Sequence, residues 1–135
     1  MCDKPYEINS CGNYIIDTVI RIDKLQKEIV SDYNGCITCE TSLVTNANNT
    51  IPVAFKGCSG EITAILELPN TTTQFFRIES VREKRFVTLR LLEATTVAEE
   101  QTFEATNHTC ILDLNCVCQI QCFSPITVVT CTQNQ

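Results

Sequence analysis

Residues 110–122 read Cys-Ile-Leu-Asp-Leu-Asn-Cys-Val-Cys-Gln-Ile-Gln-Cys, and every even position is apolar or Cys. A period of two marks a β-strand, whose successive side chains point to opposite faces. Cys110, Leu112, Leu114, Cys116, Cys118, Ile120 and Cys122 are therefore expected on a core-facing side. Ile111, Asp113, Asn115, Val117, Gln119 and Gln121 make the other side, a mixed and mostly uncharged surface.

Working outward, the same alternation recurs at Ile62, Ala64, Leu66 and Leu68, and at Val87, Leu89 and Leu91 with Thr88 and Arg90 opposite. Strands are expected near 37–45, 51–56, 61–68, 74–81, 86–94, 109–122 and 126–132, the short, regularly spaced runs of sandwiches and barrels. Gly57-Cys58-Ser59-Gly60 and Pro69-Asn70-Thr71-Thr72 read as tight connections, and Arg82 to Arg85 as a solvated hairpin tip. Thr95 to Ala105 shows no period and is read as loop. Only residues 14–30 carry helical spacing, at Ile15, Val19, Ile22, Leu25 or Gln26, and Ile29, with Asn13 as N-cap and Asn34-Gly35 as the stop. The expected fold is mainly β: an antiparallel β-sandwich or barrel-like domain with one N-terminal α-helix. Residues 1–13 are expected to be a flexible Cys-containing arm, 14–132 a single β-rich domain with its helix at 14–30, and 133–135 a polar tail.

The chain of 135 residues, with 10 Lys plus Arg against 16 Asp plus Glu, has a net charge of -6. With no basic patch it lacks the electrostatic footprint of a nucleic-acid binder. No apolar run approaches the roughly 18 residues of a membrane span, and the polar opening Met1 to Ser10 is unlike a secretory signal. Synthesis in the cytoplasm is therefore expected, which conflicts with 10 Cys, a density close to that of exported disulfide scaffolds. Three resolutions are open: the thiols bind metal, fill the core, or are oxidised late.

Charge placement adds a second feature. No Lys or Arg follows Arg90, and from Ala105 onward the one formally charged side chain is Asp113. Strands without charged guards pair readily with neighbouring molecules, so this segment is either covered by its own domain or made to associate.

Cys36-Ile37-Thr38-Cys39 has the gap of a zinc knuckle or redox motif. It precedes a Thr-rich strand rather than a helix, which disfavours thioredoxin-type chemistry. A zinc site would need two further ligands from Cys110, Cys116, Cys118, Cys122 or His108, none of which forms a second such pair. Cys116 and Cys118, two apart on one strand with parallel Cβ vectors, would not readily bond each other. With Cys110 and Cys122 they are read as core or intramolecular thiols. Cys2, Cys11 and Cys131, near the chain ends, are candidates for intermolecular disulfides. His108 has no catalytic partner, no Gly-rich phosphate loop exists, and Glu99-Glu100 reads as a solvated face. No active site and no cofactor are expected. Asn48, Asn70 and Asn107 fit the N-x-Thr pattern only as composition.

The segment Cys110 to Pro125, with its order Cys, Asp-Leu, Cys-x-Cys, Ile-Gln-Cys, strongly resembles the C-terminal signature of the cysteine-rich spore coat and exosporium family of CotZ, CotY and ExsY type. Further pieces fall in the same order: the helix after Cys11, Cys36 to Cys39, Thr50-Ile51-Pro52-Val53, Phe75-Phe76-Arg77-Ile78-Glu79, and Val87-Thr88-Leu89-Arg90-Leu91-Leu92. The chain is somewhat shorter than such proteins and lacks the His-rich stretches of some members. The resemblance implies a structural protein of the endospore outer layers, made in the mother-cell cytoplasm without a signal peptide. It would self-assemble, with other coat or exosporium proteins as partners, into a ring-based two-dimensional lattice on the spore surface, without nucleic acid or membrane. Oxidation after mother-cell lysis would then explain the cysteines, with links expected from Cys2, Cys11, Cys131 and Cys36 or Cys39. The alternative is a zinc-stabilised binding or adaptor module built on Cys36 and Cys39, and a third reading is a thiol oxidoreductase using Cys36.

Overall fold

A helix, α1 (Cys11–Asp32), opens the structure, a computed structural model that describes residues 11–32, 48–67 and 71–128. Ile15, Val19 and Ile22 are buried at the three- and four-residue spacing that makes one apolar stripe, and Asp23 pairs with Lys27 at 3.1 Å on the outer side. The helix starts earlier than the spacing predicts, so Asn13 lies inside it rather than at its cap, and Cys11 belongs to the helix rather than to an arm. Of the two candidates in the fourth turn, Gln26 faces inward at 3% exposure while Leu25 is 42% exposed. Gln26 is admitted to the core because both ends of its amide are satisfied: Nε2 donates to the Ile78 carbonyl at 2.7 Å and Oε1 accepts from the Ile51 amide at 3.0 Å.

Among the described residues eight strands follow: β1 (Val53–Gly57), β2 (Gly60–Glu61), β3 (Ala64–Glu67), β4 (Thr71–Thr73), β5 (Phe75–Arg82), β6 (Phe86–Val97), β7 (Glu100–Asp113) and β8 (Val117–Cys122). The main sheet runs β2-β1-β5-β6-β7 with β8 on β1, and β3 and β4 form a separate hairpin. All the pairings are antiparallel, and the molecule is a mainly β, sandwich-like or barrel-like domain with one helix near its N-terminus. Thr71 and Thr72, read from sequence as part of a connection, pair with Glu67 and Ile65 respectively. The largest correction is at Thr95 to Ala105, expected as loop. Pairing of β6 with β7 continues to Val97 with Glu100, and Ala98 (φ 54) and Glu99 (φ 69) make the turn. Two consecutive left-handed residues are the conformation that matches strand twist, but Asn-Gly or Asp-Gly normally signals it. Arg82 to Arg85 is the exposed tip expected, closed the same way by Glu83 (φ 55) and Lys84 (φ 52). The expected strand at 37–45 and the 133–135 tail lie outside the described residues, as do residues 1–10.

β7 and β8 are consecutive in sequence yet lie at opposite edges of the path β7-β6-β5-β1-β8, joined only by a 3-10 turn at Leu114–Cys116. In a flat sheet those edges would stand roughly 19 Å apart at about 4.8 Å per strand, while three residues of 3-10 helix advance only about 6 Å. The sheet therefore curls until its edges approach. Phe75 of β5, Phe103 of β7 and Phe123, which follows β8, meet in one ring cluster with centroids 5.1, 5.4 and 6.1 Å apart. Inside the curl, Val53, Phe55, Phe76, Ile78, Val87, Leu89, Leu91, Leu114 and Val117 pack with the α1 stripe in one core.

The reverse side of the sheet is also covered in its middle. Arg90, expected on a half-solvated face, is buried, as is its cross-strand neighbour Arg77. Both reach Glu79, at 2.9 Å from Arg77 and 3.2 Å from Arg90, and Arg77 Nε donates to Thr50 Oγ1 at 2.7 Å. Thr50 in turn belongs to a short bridge with Ile126 that lies over this face.

Gln26→Ala strands the Ile78 carbonyl and the Ile51 amide, so it should lower unfolding free energy by about 2 kcal/mol. Leu25→Ala, one position away, should cost under about 1 kcal/mol. Urea denaturation checks this, and equal losses for the two variants would contradict the assignment of Gln26 as the clamp.

Candidate functional site

The chemistry-bearing groups of the described chain are thiols, and what places them is the junction between β7 and β8. Asp113 ends β7 and accepts from Arg85 through both oxygens, Oδ1 from Nε at 2.9 Å and Oδ2 from Nη2 at 2.8 Å. Its Oδ1 also accepts from the Asn115 amide at 3.0 Å, which caps the 3-10 turn. The Leu114 amide donates to the Arg85 carbonyl at 2.8 Å. The hydrogen bonds from Arg85 hold the Asp113 carboxyl below the usual carboxylate range, with the Asn115 amide adding to the effect.

The turn also breaks the alternation. Leu114 is buried as expected, and so is Val117, whereas Cys118 is exposed. Helical backbone at Leu114–Cys116 shifts the phase by one, and a bulge then interrupts the pairing of β8 with β1: Gly57 faces Val117 but Lys56 faces Gln119, which leaves Cys118 as the extra residue. Gly57 permits this approach, because a Cβ there would lie 2.9 Å from the Cys116 carbonyl oxygen.

Cys118 and Cys122, expected as core or intramolecular thiols on the core-facing side, are both exposed rather than packed in the core. Cys110 is partly buried against the core and Cys116 is half-buried. Leu112 and Ile120, expected in the core, are partly buried and pack against it. Cys118 Sγ lies 4.0 Å from Cys58 Sγ, across a separation of 60 residues. Cys58 was not singled out from sequence, where its turn position gave it no partner. The legible signal was Gly57-Cys58-Ser59-Gly60 itself, since a thiol in a tight turn is held at the surface. Burial pushes the Cys110 thiol up, and partial enclosure does the same to Cys122 despite its open surface.

Cys2, Cys36, Cys39 and Cys131 lie outside the described residues, and for Cys11 only the backbone position at the start of α1 is described. His108 is on β7 and exposed. Among the described residues no group of three or more His, Cys, Asp or Glu side chains gathers as a metal site, and no helix is long and apolar enough to cross a membrane. Comparison with protein-family models, curated proteins and solved structures finds no match.

Two outcomes follow from this geometry. The Asp113 contribution is present above the unfolded carboxyl value of about 3.9 and is lost as pH falls through the lowered folded value. Because Arg85 is half exposed, Asp113→Asn should cost only about 1 kcal/mol near neutrality. Its deficit against the parent should shrink in acid, and a deficit that stays constant down to acid unfolding would contradict the junction. For Cys110, alkylation followed against pH should give a midpoint above that of the same thiol in urea. A midpoint at or below the unfolded one would contradict its enclosure.

Proposed function

We propose that this chain is a non-enzymatic structural protein of the bacterial endospore outer layers, which self-assembles into a two-dimensional lattice reinforced by disulfides. The observation that carries the reading is β8: among the described residues it is an edge strand, with no charged side chain, paired on one side with β1 and presenting Cys118 and Cys122 at the surface. The Phe123 amide donates to the Pro52 carbonyl. In an antiparallel ladder alternate residues face the partner, so Gln119 and Gln121 turn their backbone groups to β1, and Ile120 and Cys122 turn theirs outward.

Such an edge is suited to strand addition by a neighbouring subunit. At about 1 kcal/mol net per hydrogen bond, a contact this short is weak alone. Repetition through a lattice and covalent links would make it durable. The resemblance of Cys110 to Pro125 to the coat and exosporium signature points the same way. Cys2, Cys11, Cys131 and Cys36 or Cys39 are the proposed sources of intermolecular bonds, and other coat or exosporium proteins the proposed partners.

Electron microscopy of the protein made in a bacterial cytosol tests this. Ordered sheets or stacked rings should survive heat and disperse once reductant is added, and Cys→Ser at Cys2, Cys11 and Cys131 together should give sheets that disperse on heating alone. Single particles with and without reductant would contradict the proposal.

A further inference from the structure

The 4.0 Å approach of Cys58 and Cys118 brings together two thiols from distant parts of the chain, and both residues are exposed to a soluble oxidant. Three local features bring them there. Gly57 and Gly60 (φ 128) bound the turn that carries Cys58. The bulge opposite Lys56 and Gly57 makes Cys118 the unpaired residue of β8, and the missing side chain of Gly57 lets the start of β8 close in. Bonded sulfurs lie about 2.0 Å apart, so the two must close about 2 Å from their 4.0 Å separation, a movement that side-chain rotation at two exposed residues supplies.

We propose that Cys58 and Cys118 form an intramolecular disulfide that pins the β1–β2 turn to β8 and withdraws both thiols from cross-linking between subunits. The reaction is thiol–disulfide exchange with a small disulfide such as oxidised glutathione. The thiolate of one cysteine attacks a glutathione sulfur, a protein–glutathione bond forms and one glutathione thiolate leaves. The second cysteine, as thiolate, then attacks the protein sulfur, the Cys58–Cys118 bond forms and a second glutathione leaves. The protein loses two electrons and two protons, and one oxidised glutathione becomes two reduced ones.

The pairing bears on assembly without depending on it. With Cys58 and Cys118 bonded to each other, Cys122 is the exposed thiol left on β8, so the disulfide would sort the thiols of this edge into one internal pair and one outward group. It would also close a loop running from residue 58 to residue 118, large enough for oxidation to raise Tm by about 10 °C.

The test uses the full chain, reduced, equilibrated with glutathione mixtures, quenched and mapped by mass spectrometry without reduction. An equal mixture of 15N-labelled and unlabelled chains separates bonds within a chain from bonds between chains. The expected result is a Cys58–Cys118 link of single isotopic origin, retained in Cys116→Ser and absent in Cys118→Ser, where Cys58 instead carries glutathione. Mixed-isotope links at Cys58, a link lost in Cys116→Ser but kept in Cys118→Ser, or glutathione on both Cys58 and Cys118 at oxidising ratios would each overturn the proposal. Lattice formation is read separately by microscopy: an internal link without sheets leaves this pairing intact and removes the lattice reading, and sheets without the link do the reverse.

Discussion

Everything in this fold depends on three residues having to span what a flat sheet would separate. β7 and β8 are one stretch of chain placed on opposite edges, and Leu114–Cys116 is their whole connection. The constraint curls the sheet, and the curl creates the enclosed core into which Leu114 and Val117 point and over which α1 lays Ile15, Val19 and Ile22. Asp113 holds the crossing by gripping Arg85 of the preceding hairpin tip and capping the turn with the same carboxylate. An exposed ion pair normally contributes little. This one matters through its location, because it fixes the point at which the chain leaves one edge for the other.

The same crossing decides the chemistry of the surface. By consuming three residues as 3-10 helix the chain turns Val117 inward and Cys118 outward, and the bulge at Cys118 then returns Ile120 to the core side. Cys118 thereby meets Cys58, and Cys122 ends the strand at the open edge. One edge strand then combines uncharged side chains, outward backbone groups and accessible sulfur. That combination suits a protein built to join its neighbours, and the Cys58–Cys118 pairing would assign one part of that sulfur to the subunit itself.

The helix, the strand-rich class and the core at Val87, Leu89 and Leu91 were legible in the sequence because burial there follows simple periods. Three features were not. The β6–β7 turn uses Ala98 and Glu99, residues that give no turn signal, so its long hairpin read as a loop. Arg77 and Arg90 look like solvent-facing positions until Thr50 and the Ile126 bridge cover them, a contact between segments far apart in sequence. In 110–122 the apolar period continues unbroken through Leu114, and the one local hint of a turn is Asp113 two residues before Asn115, the side-chain-to-backbone pattern of an Asx turn. Period-two reasoning had no means to place a phase change there, and Cys58 had no partner until the phase change supplied one.

The central claim is that β8 is an edge held by β1 on one side and open to a neighbour on the other. Hydrogen exchange resolved at single amides in dispersed and assembled protein measures it most directly. The account predicts that Gln119 and Gln121 are protected in both states, whereas Ile120 and Cys122 exchange rapidly in dispersed subunits and become protected on assembly. Ile120 and Cys122 amides already protected in the dispersed chain, or equally fast in both states, would contradict it.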